Sequence, residues 1–361
     1  MKKFKFKQFG TMLGIMVFCA LSLILSDFGQ GVSPANAEKL HIRLGTSKEG
    51  TAAYASGVGL SASVKKRIDN ISMEAVPTPG STASVKIFAK NGLDMAYAST
   101  WTLKDAYKNT GPFAKKPINR KPLQGLYWLT ADWFVVVKAD RNDINSLSDL
   151  KGKKFFPMIA GSGIYDVYRY VFSELGIWKK IKTRQIGSME AADALQMGTL
   201  DALGAYSTNR GQNTVSWMRN VDSRLKIKVV GPSPEEKNAI EKINGVSCGD
   251  LTKKWMRPAN QKNNPGKLWG WSVHYGFHPG KDMPTEAFYK VYKNWIENCT
   301  ADLAPVNAIL KSFSVDPISV QLRGIQEAKD IPVHPGAAKY LKEKGLWQEN
   351  WIVGTLNSGV K

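Results

Sequence analysis

Two Gly-Ser pairs stand where the sequence pattern turns into a helix. Gly80-Ser81 and Gly161-Ser162-Gly163 each precede a segment with helical spacing of apolar residues. The first N–H groups of a helix lack intrahelical acceptors, and a serine hydroxyl beside them adds a further donor. Such turns suit a carboxylate or a similar acceptor. We therefore predict that Ser81 and Ser162 contact an anionic ligand. The alternative is that each serine only caps its helix.

Other reactive side chains give weaker patterns. His274 and His278 have the spacing of two metal ligands on one helix face, but the surrounding WSVHYGFHP has strand character. Asp94 and Asp201 each open a short apolar run at the same place in a repeat, which favours a capping or turn role over acid–base chemistry. The sequence therefore predicts a protein that is not an enzyme, with no metal site and no cofactor.

The N-terminus has the composition of a cleavable signal peptide. A basic start is followed by a short apolar stretch and by Ala35-Asn36-Ala37, which reads as a cleavage site, so residues 1–37 are predicted to be removed. The remaining 324 residues, 361 minus 37, suffice for two domains. Cys248 and Cys299 would then lie in an oxidising compartment, which favours a disulfide between them over two separate buried thiols.

The charge balance limits the partners. Removing four lysines and one aspartate with the signal peptide lowers the formal net charge from +20 to +17. Cytosolic proteins of this charge often bind nucleic acid, but the predicted export and the scattered lysines argue against it. A basic surface attracts small anions or an acidic partner, or serves solubility alone.

Strand-like and helix-like segments alternate along the chain, which predicts an α/β fold with mostly parallel sheets. The region from Ser233 to Gly270 is rich in Pro, Asn and Lys and is predicted to be irregular. The stretch Gly80–Thr100 recurs in altered form at Gly187–Thr208. Two copies of one α-to-β unit predict two similar lobes.

The two lobes define a domain organisation. Trp133–Asp140 and Trp271–Pro279 are the natural crossings between them, which makes the second lobe an insertion into the first. The predicted domains are the signal peptide (residues 1–37), the first part of lobe 1 (38–134), lobe 2 (135–273) and the return to lobe 1 with C-terminal helices (274–361). Ligands of open α/β sheets sit beyond the carboxyl ends of the strands, which places the ligand in a cleft between the lobes.

Several motifs, in order, resemble one family. GTSKEGTAAYASG, PTPGSTASV, SLSDLKGKKF, AGSGIYDV, EAADALQMGTLDA and IPVHPGAAKYLKEKG are similar to the successive motifs of TAXI-type solute receptors, the TRAP-associated extracytoplasmic proteins. The resemblance runs from about His41 to Gly345. It implies a two-lobe periplasmic binding protein of the type II-like class, with discontinuous lobes joined by two crossing strands.

The resemblance also implies a function. Such a receptor is a periplasmic monomer that closes over a small organic anion and delivers it to the membrane permease subunits of a TRAP transporter. Two alternatives stay open: a ligand-binding sensor that addresses a membrane histidine kinase, and an amino-acid receptor of the glutamate type.

Departures from the family motifs concern the ligand. Trp101 stands where the family has an acidic strand tip, Ile164 replaces a threonine, and Ser84 replaces an asparagine. These changes favour a carboxylate with an apolar or aromatic part over a zwitterionic amino acid. The predicted ligand-binding residues are Ser47, Tyr54, Gly80, Ser81, Thr82, Ser99, Thr100, Trp101, Gly161, Ser162, Gly163, Ile164, Tyr206 and Ser207.

Overall fold

The computed structural model describes residues 39–160, 163–243 and 245–360. The predicted signal peptide and the predicted site residues Gly161 and Ser162 lie outside these ranges. The described residues belong to one compact unit. Within these ranges, every helix is too short or too polar to span a bilayer.

Strands and helices alternate through most of the described chain. The strands are β1 (Leu40–Gly45), β2 (Ile71–Val76), β3 (Met95–Ser99), β4 (Leu126–Lys138), β5 (Lys154–Phe156), β6 (Lys182–Thr183), β7 (Ala202–Thr208), β8 (Asn213–Thr214), β9 (Ile227–Val230), β10 (Ser247–Leu251) and β11 (Leu268–Pro279). The α-helices are α1 (Ala52–Arg67), α2 (Ser81–Ala89), α3 (Thr100–Lys108), α4 (Gly163–Glu174), α5 (Ala191–Gln196), α6 (Ser216–Arg224), α7 (Pro234–Ile240), α8 (Pro258–Lys262), α9 (Thr285–Glu297), α10 (Ala308–Phe313), α11 (Pro317–Glu327) and α12 (Pro335–Glu343). Shorter 3₁₀ turns lie at Gly111–Phe113, Leu147–Leu150, Trp178–Lys180 and Ser188–Glu190, and a π-helical turn lies at Cys299–Leu303.

The strands form one mixed sheet, so the predicted α/β class is confirmed. The order along the sheet is β2-β1-β3-β11-β4-β7-β5-β6, with β10 beside β11, β8 beside β7 and β9 beside β4. β1 pairs in parallel with β2 and β3, and β5 pairs in parallel with β6 and β7. The remaining pairings are antiparallel. The expectation of a mostly parallel sheet is therefore wrong, because β4 and β11 run antiparallel to the strands beside them.

β4 and β11 connect the two parallel groups. Trp271 pairs with Trp133, and β11 continues to pair with β3 at Tyr275 opposite Ser99. β4 continues on the other side, where Ala131 pairs with Thr208 of β7. The predicted crossing Trp271–Pro279 lies within β11, and the predicted crossing Trp133–Asp140 extends two residues beyond the end of β4.

Burial explains why these strands form. Five consecutive residues of β4, Trp133–Val137, are at most 1% exposed, as expected for a strand with both faces covered. The core continues through Trp271, Val273 and Phe277 of β11, none of which is exposed. The strands that link the two parallel groups are therefore held by apolar burial along most of their length.

Part of the region predicted to be irregular is regular. α7 begins with a capping box, in which the Ser233 hydroxyl accepts from the Glu236 N–H and the Glu236 carboxylate accepts from the Ser233 N–H. Pro234 occupies the first helical position. Glu236 also accepts from the N–H groups of Leu147 and Ser148, so a contact distant in sequence stabilises this short helix.

Both cysteines of the described chain are free thiols, so the predicted disulfide is wrong; of the two separate thiols, Cys299 is buried and Cys248 is half-buried. Cys248 lies in β10 and pairs with Trp271 of β11. Cys299 begins the π-helical turn that follows α9 and is 3% exposed. The two thiols therefore belong to different layers of the fold: one to the sheet, the other to the helices that pack on α1.

Candidate functional site

The two faces of the crossing strands differ in chemistry. Because successive side chains of a strand point to opposite faces, Trp133 and Trp271 share one face, and Asp132 and Ser272 share the other. The aromatic face carries Trp133, Tyr206, Trp271 and Tyr275. The polar face carries Thr130, Asp132, Ser272 and His274. A binding site can therefore be built on either side of these strands.

Three tyrosines on the aromatic face, Tyr97, Tyr206 and Tyr275, influence one another electrostatically. The rings of Tyr97 and Tyr275 are stacked with centroids 5.9 Å apart, and the Tyr206 ring lies 4.8 Å from the Trp133 ring. Burial and then the neighbouring Tyr275 raise the pKa of Tyr97 well above its usual value. Burial raises the pKa of Tyr206 to about 12. These hydroxyls are therefore neutral at physiological pH and can serve as hydrogen-bond donors.

Ser81 reaches this cluster from the first turn of α2. Its side chain lies close enough to Tyr97 to lower the pKa of that hydroxyl, against the larger effect of burial. The residue before it, Gly80, has φ of 146°, and among the described residues no side chain caps the helix there. A methyl group built on Gly80 would meet nothing within 4 Å, so the turn is open. The N–H groups at the start of α2 are therefore available to an anion next to a polar aromatic surface.

Trp101 and Tyr170 form a second aromatic contact, between α3 and α4. Their rings are stacked with centroids 4.8 Å apart and an interplanar angle of 29°. Both residues are half-buried. The sequence assigns them to different lobes, so this stack would connect the two walls of the predicted cleft.

Several other predicted site residues have structural partners. The Ser99 hydroxyl accepts from the Thr102 N–H and caps α3, and Thr100 donates to the Gly245 carbonyl. Both are buried, and a methyl group on Gly245 would lie 2.6 Å from the Trp101 Cα, so the start of α3 is covered. These contacts account for Ser99 and Thr100 without a ligand.

The remaining predicted residues differ in accessibility. Ser47, Tyr54, Thr82 and Ile164 are half-buried, whereas Ser207 is fully buried. Tyr54 donates its N–H to the Thr51 hydroxyl, which caps α1. Ser207 Oγ has no hydrogen-bond partner among the described residues. Gly163 begins α4.

Asp94 and Asp201 have matching contacts. Asp94 accepts from the Arg43 N–H at 2.8 Å and donates its own N–H to the Arg43 carbonyl. Asp201 forms the same pair of contacts with Lys154, at 2.7 Å to its carboxylate. An arginine then completes each site, Arg43 for Asp94 and Arg141 for Asp201. The repeat therefore encodes the same strand-opening turn twice, in agreement with a capping role.

Three histidines serve the fold. The His278 ring accepts from the Gly125 N–H at 3.1 Å and donates to the Ala98 carbonyl at 3.2 Å. His334 bridges Gly336 and Met283 in the same way, and His274 bonds the Thr130 hydroxyl. The described residues contain no group of three or more His, Cys, Asp or Glu side chains that would hold a metal ion.

Sequence reasoning missed several residues near the aromatic face. Tyr97, Tyr170 and Tyr275 lie inside a strand or helix, and only their apolar packing could be read from the pattern. Asp166, in the first turn of α4, influences Tyr275 electrostatically and pairs with Arg169 at 3.2 Å. An acidic group is thus present near the cluster although Trp101 replaces the acidic tip.

One serine lies in a sequence spacing that is typical of a catalytic nucleophile. Gly245-Val246-Ser247-Cys248-Gly249 has the Gly-x-Ser-x-Gly spacing of a nucleophile elbow. Such an elbow needs a sharp turn between a strand and a helix. Ser247 instead begins β10, where it pairs with Ser272. The spacing therefore does not form that site.

Comparison with known proteins identifies the family. A family model described as the NMT1-like family matches residues 44–345, most of the chain. The chain belongs to the NMT1-like family.

Solved structures resemble this NMT1-like protein at low identity. A putative periplasmic sulfonate-binding protein, SsuA, of an ABC transporter from Methylobacillus flagellatus KT is 17% identical, with a TM-score of 0.46 over 89% of this chain and 99% of that chain. The probable amino-acid ABC transporter extracellular-binding protein ytmK from Bacillus subtilis is 16% identical, with a TM-score of 0.42 over 80% and 98%. The periplasmic aliphatic sulphonate-binding protein SsuA from Escherichia coli is 14% identical, with a TM-score of 0.38 over 84% and 83%.

Proposed function

We propose that this protein is the periplasmic solute receptor of a TRAP-type secondary transporter, of the TAXI type, and that it captures a small organic anion. The observation that carries the proposal is the uncapped start of α2 beside the tyrosine cluster. Ser81 and the free N–H groups there offer donors to a carboxylate. The rings of Tyr97, Tyr206 and Tyr275 offer an adjoining surface for an apolar or aromatic body.

The proposed mechanism is closure of two lobes. Lobe 1 comprises residues 38–134 and 274–361, and lobe 2 comprises residues 135–273, with β4 and β11 crossing between them. Ser81 and Tyr97 belong to lobe 1, and Tyr206 to lobe 2, so a ligand that touches all three favours the closed state. The protein acts as a monomer and passes its ligand to the membrane permease subunits of the transporter.

A second ligand class has an observation in its favour. Asp166 lies in the first turn of α4. After the larger effects of burial and Tyr206, its charge also raises the pKa of Tyr275. A ligand with both a carboxylate and an ammonium group would place the first at α2 and the second at Asp166. An amino-acid ligand, in addition to a simple organic acid, therefore enters the test.

Ligand identity can be measured directly. Native mass spectrometry of protein purified without denaturation is expected to reveal a retained small molecule, because closed receptors release ligand slowly. A thermal-shift panel of amino acids, dicarboxylates and aromatic acids then ranks the classes. We expect an organic acid to raise the melting temperature most. If glutamate alone stabilises the protein strongly, the ligand is an amino acid and the proposal of a simple organic anion is wrong. The proposal that the protein is a solute receptor would still stand.

The transporter type requires a separate experiment. With the identified ligand, uptake by vesicles that contain the cognate permease should depend on an ion gradient and not on ATP. Uptake that requires ATP would assign the protein to an ABC-type system. Ligand binding that leaves uptake unchanged and alters the activity of a membrane histidine kinase would instead support the sensor.

A further inference from the structure

A cavity of about 340 Å³ lies on the polar face of the crossing strands, opposite the tyrosine cluster. Two arginines line it: Arg210, which follows β7, and Arg323 of α11. His274 of β11 and Glu327 of α11 also line it. The cavity is large enough for a small ligand. It shares no residue with the candidate site at α2.

Arg210 is held in place by a buried carboxylate. Asp132, which is fully buried, accepts the Arg210 N–H at 2.6 Å and the Ser272 hydroxyl at 2.7 Å. The Arg210 guanidinium donates to Ser272 Oγ at 3.0 Å through Nη1, which lies 3.8 Å from Asp132. This network holds Arg210 at the cavity wall through its backbone N–H and Nη1.

Arg323 lacks part of its hydrogen bonding. Its Nε is buried and has no partner among the described residues. Burial and then the charge of Arg210 lower the pKa of Arg323, so the two guanidinium groups are close enough to repel each other. An oxygen ligand between them would relieve this repulsion and supply acceptors.

The other titratable groups that line the cavity are His274 and Glu327. Burial, followed by Arg210 and Arg323, keeps the pKa of His274 well below its usual value, so His274 is neutral. Burial raises the pKa of Glu327, against the opposing effect of Lys104, and its carboxyl interacts with the Ser247 side chain. Asp132 and Asp316 act on Arg323 in the opposite direction to burial and Arg210. The cavity wall therefore presents two guanidinium groups, Arg210 and Arg323, and one acidic side chain, Glu327.

We propose that this cavity is a second binding site for a small oxygen anion, held between Arg210 and Arg323. Its ligand presents either the oxygens of an inorganic anion such as sulfate or phosphate, or those of a small carboxylate. The site is independent of the solute at α2, because it lies on the other face of β4 and β11.

The test compares anions at fixed ionic strength. Sulfate, phosphate and malonate are titrated into the full mature protein by calorimetry and thermal shift, with chloride as the reference. Replacing Arg323 with Gln should weaken binding about tenfold or more. The control Arg184→Gln removes the same charge at an exposed position and should leave binding unchanged. Tighter binding of sulfate and phosphate would indicate an inorganic anion as the ligand, and tighter binding of malonate would indicate a carboxylate.

A second variant protects the test from a folding defect. Glu327→Gln removes a negative charge from the cavity wall and should tighten anion binding several-fold, which a damaged fold cannot do. Ser81→Ala should leave this binding unchanged, which separates it from the proposed solute site. Equal anion affinity in the wild type, Arg323→Gln and Glu327→Gln would overturn the proposal, as would a loss of binding in Ser81→Ala.

Discussion

The Trp101 and Tyr170 rings lie 4.8 Å apart and join the first turn of α3 to α4. This contact links residues that the proposed domain boundaries place in different lobes. An aromatic pair of this kind contributes about 0.5–1.5 kcal/mol beyond area burial. In the proposed closure mechanism, this contact is one of the interactions that favour the closed form of the ligand-free protein.

Replacing Trp101 with Ala is expected to shift that balance toward the open form. Without ligand, the radius of gyration from small-angle scattering should increase relative to the wild type, and saturating ligand should reduce the difference. Trp347→Ala is the matched control, because Trp347 packs on Trp351 in the C-terminal segment, away from α3 and α4. An unchanged radius in Trp101→Ala, with or without ligand, would remove the proposed closure.

Ser81 and Ser99 are expected to behave differently when replaced by Ala. Ser81 lies at an uncapped helix start, so its loss should weaken affinity for the ligand found by native mass spectrometry by about 1–3 kcal/mol. Ser99 caps α3, so its loss should lower the free energy of unfolding by about 0.5–2 kcal/mol. Calorimetry and thermal unfolding of both variants distinguish the two roles. A fall in stability without a fall in affinity for Ser81→Ala would make Ser81 a structural residue.

Elements whose formation depends on residues close together in the sequence could be predicted. Trp133–Asp140, which the sequence indicated as a crossing, is such a case, because its apolar run forms the second half of the long strand β4. The short elements between Ser233 and Gly270 were missed because polar residues and prolines there obscure the pattern. α7 depends on Glu236 meeting Leu147 and Ser148, a contact between segments far apart in sequence.

The candidate site was predicted less completely, because several of its contacts join residues that are far apart in the sequence. The Gly80-Ser81 turn is a local signal, and α2 begins there without a side-chain cap. Ser99 has the same residue type, but only the close approach of Gly245 reveals that the start of α3 is covered. Tyr275 reaches Tyr97 through the pairing of β11 with β3, which no local pattern specifies.

The buried histidines should make the protein less stable in mild acid. Burial lowers the pKa of His278 to about 3 and that of His334 to about 4. An unfolded histidine titrates near 6.5, so the unfolded state binds these protons first. Stability is then full above about pH 6.5 and falls with decreasing pH, by about 1.4 kcal/mol per pH unit for each histidine, until the folded pKa is reached.

Urea unfolding at pH 7, 6, 5 and 4 measures this slope. His334→Gln removes one of the titrating groups, so its slope should be shallower by about 1.4 kcal/mol per pH unit, whatever its stability at pH 7. His41→Gln is the control, because His41 is exposed. If the free energy of unfolding changes with pH equally in His334→Gln and the wild type, His334 is not held neutral by burial in the folded protein.

The two cysteines are expected to react slowly in the folded protein. Burial raises the pKa of the Cys248 thiol to about 12 and raises that of Cys299, so neither forms much thiolate near neutral pH. A thiol reagent should label two sulfurs per mature chain in denaturant and few without it. A reducing agent should leave the melting temperature unchanged. If no free thiol is labelled in denaturant before reduction, Cys248 and Cys299 are joined by a disulfide and this prediction is wrong.

Asp94 and Asp201 are expected to contribute similar stability, because each accepts from a strand N–H and from an arginine. Partial burial opposes ionisation, but the hydrogen bonds and charge of Arg43 hold the pKa of Asp94 below its usual range. Burial likewise opposes the lowered pKa of Asp201, which results from its bonds to Lys154 and Arg141. Each stabilising contribution is therefore full above about pH 4 and is lost as pH falls through the folded pKa.

Asp94→Asn and Asp201→Asn should each lower the free energy of unfolding by about 1–3 kcal/mol at pH 7, because an amide replaces a charged acceptor. The control Asp140→Asn changes an exposed side chain and should stay within about 0.5 kcal/mol. Urea unfolding at pH 7 and pH 3 should show the difference between wild type and each variant shrinking in acid. A difference that stays constant with pH would mean that the shape of these turns, and not the carboxylate charge, provides the stability. A loss confined to one variant would mean that the repeated Asp does not play the same part in both units.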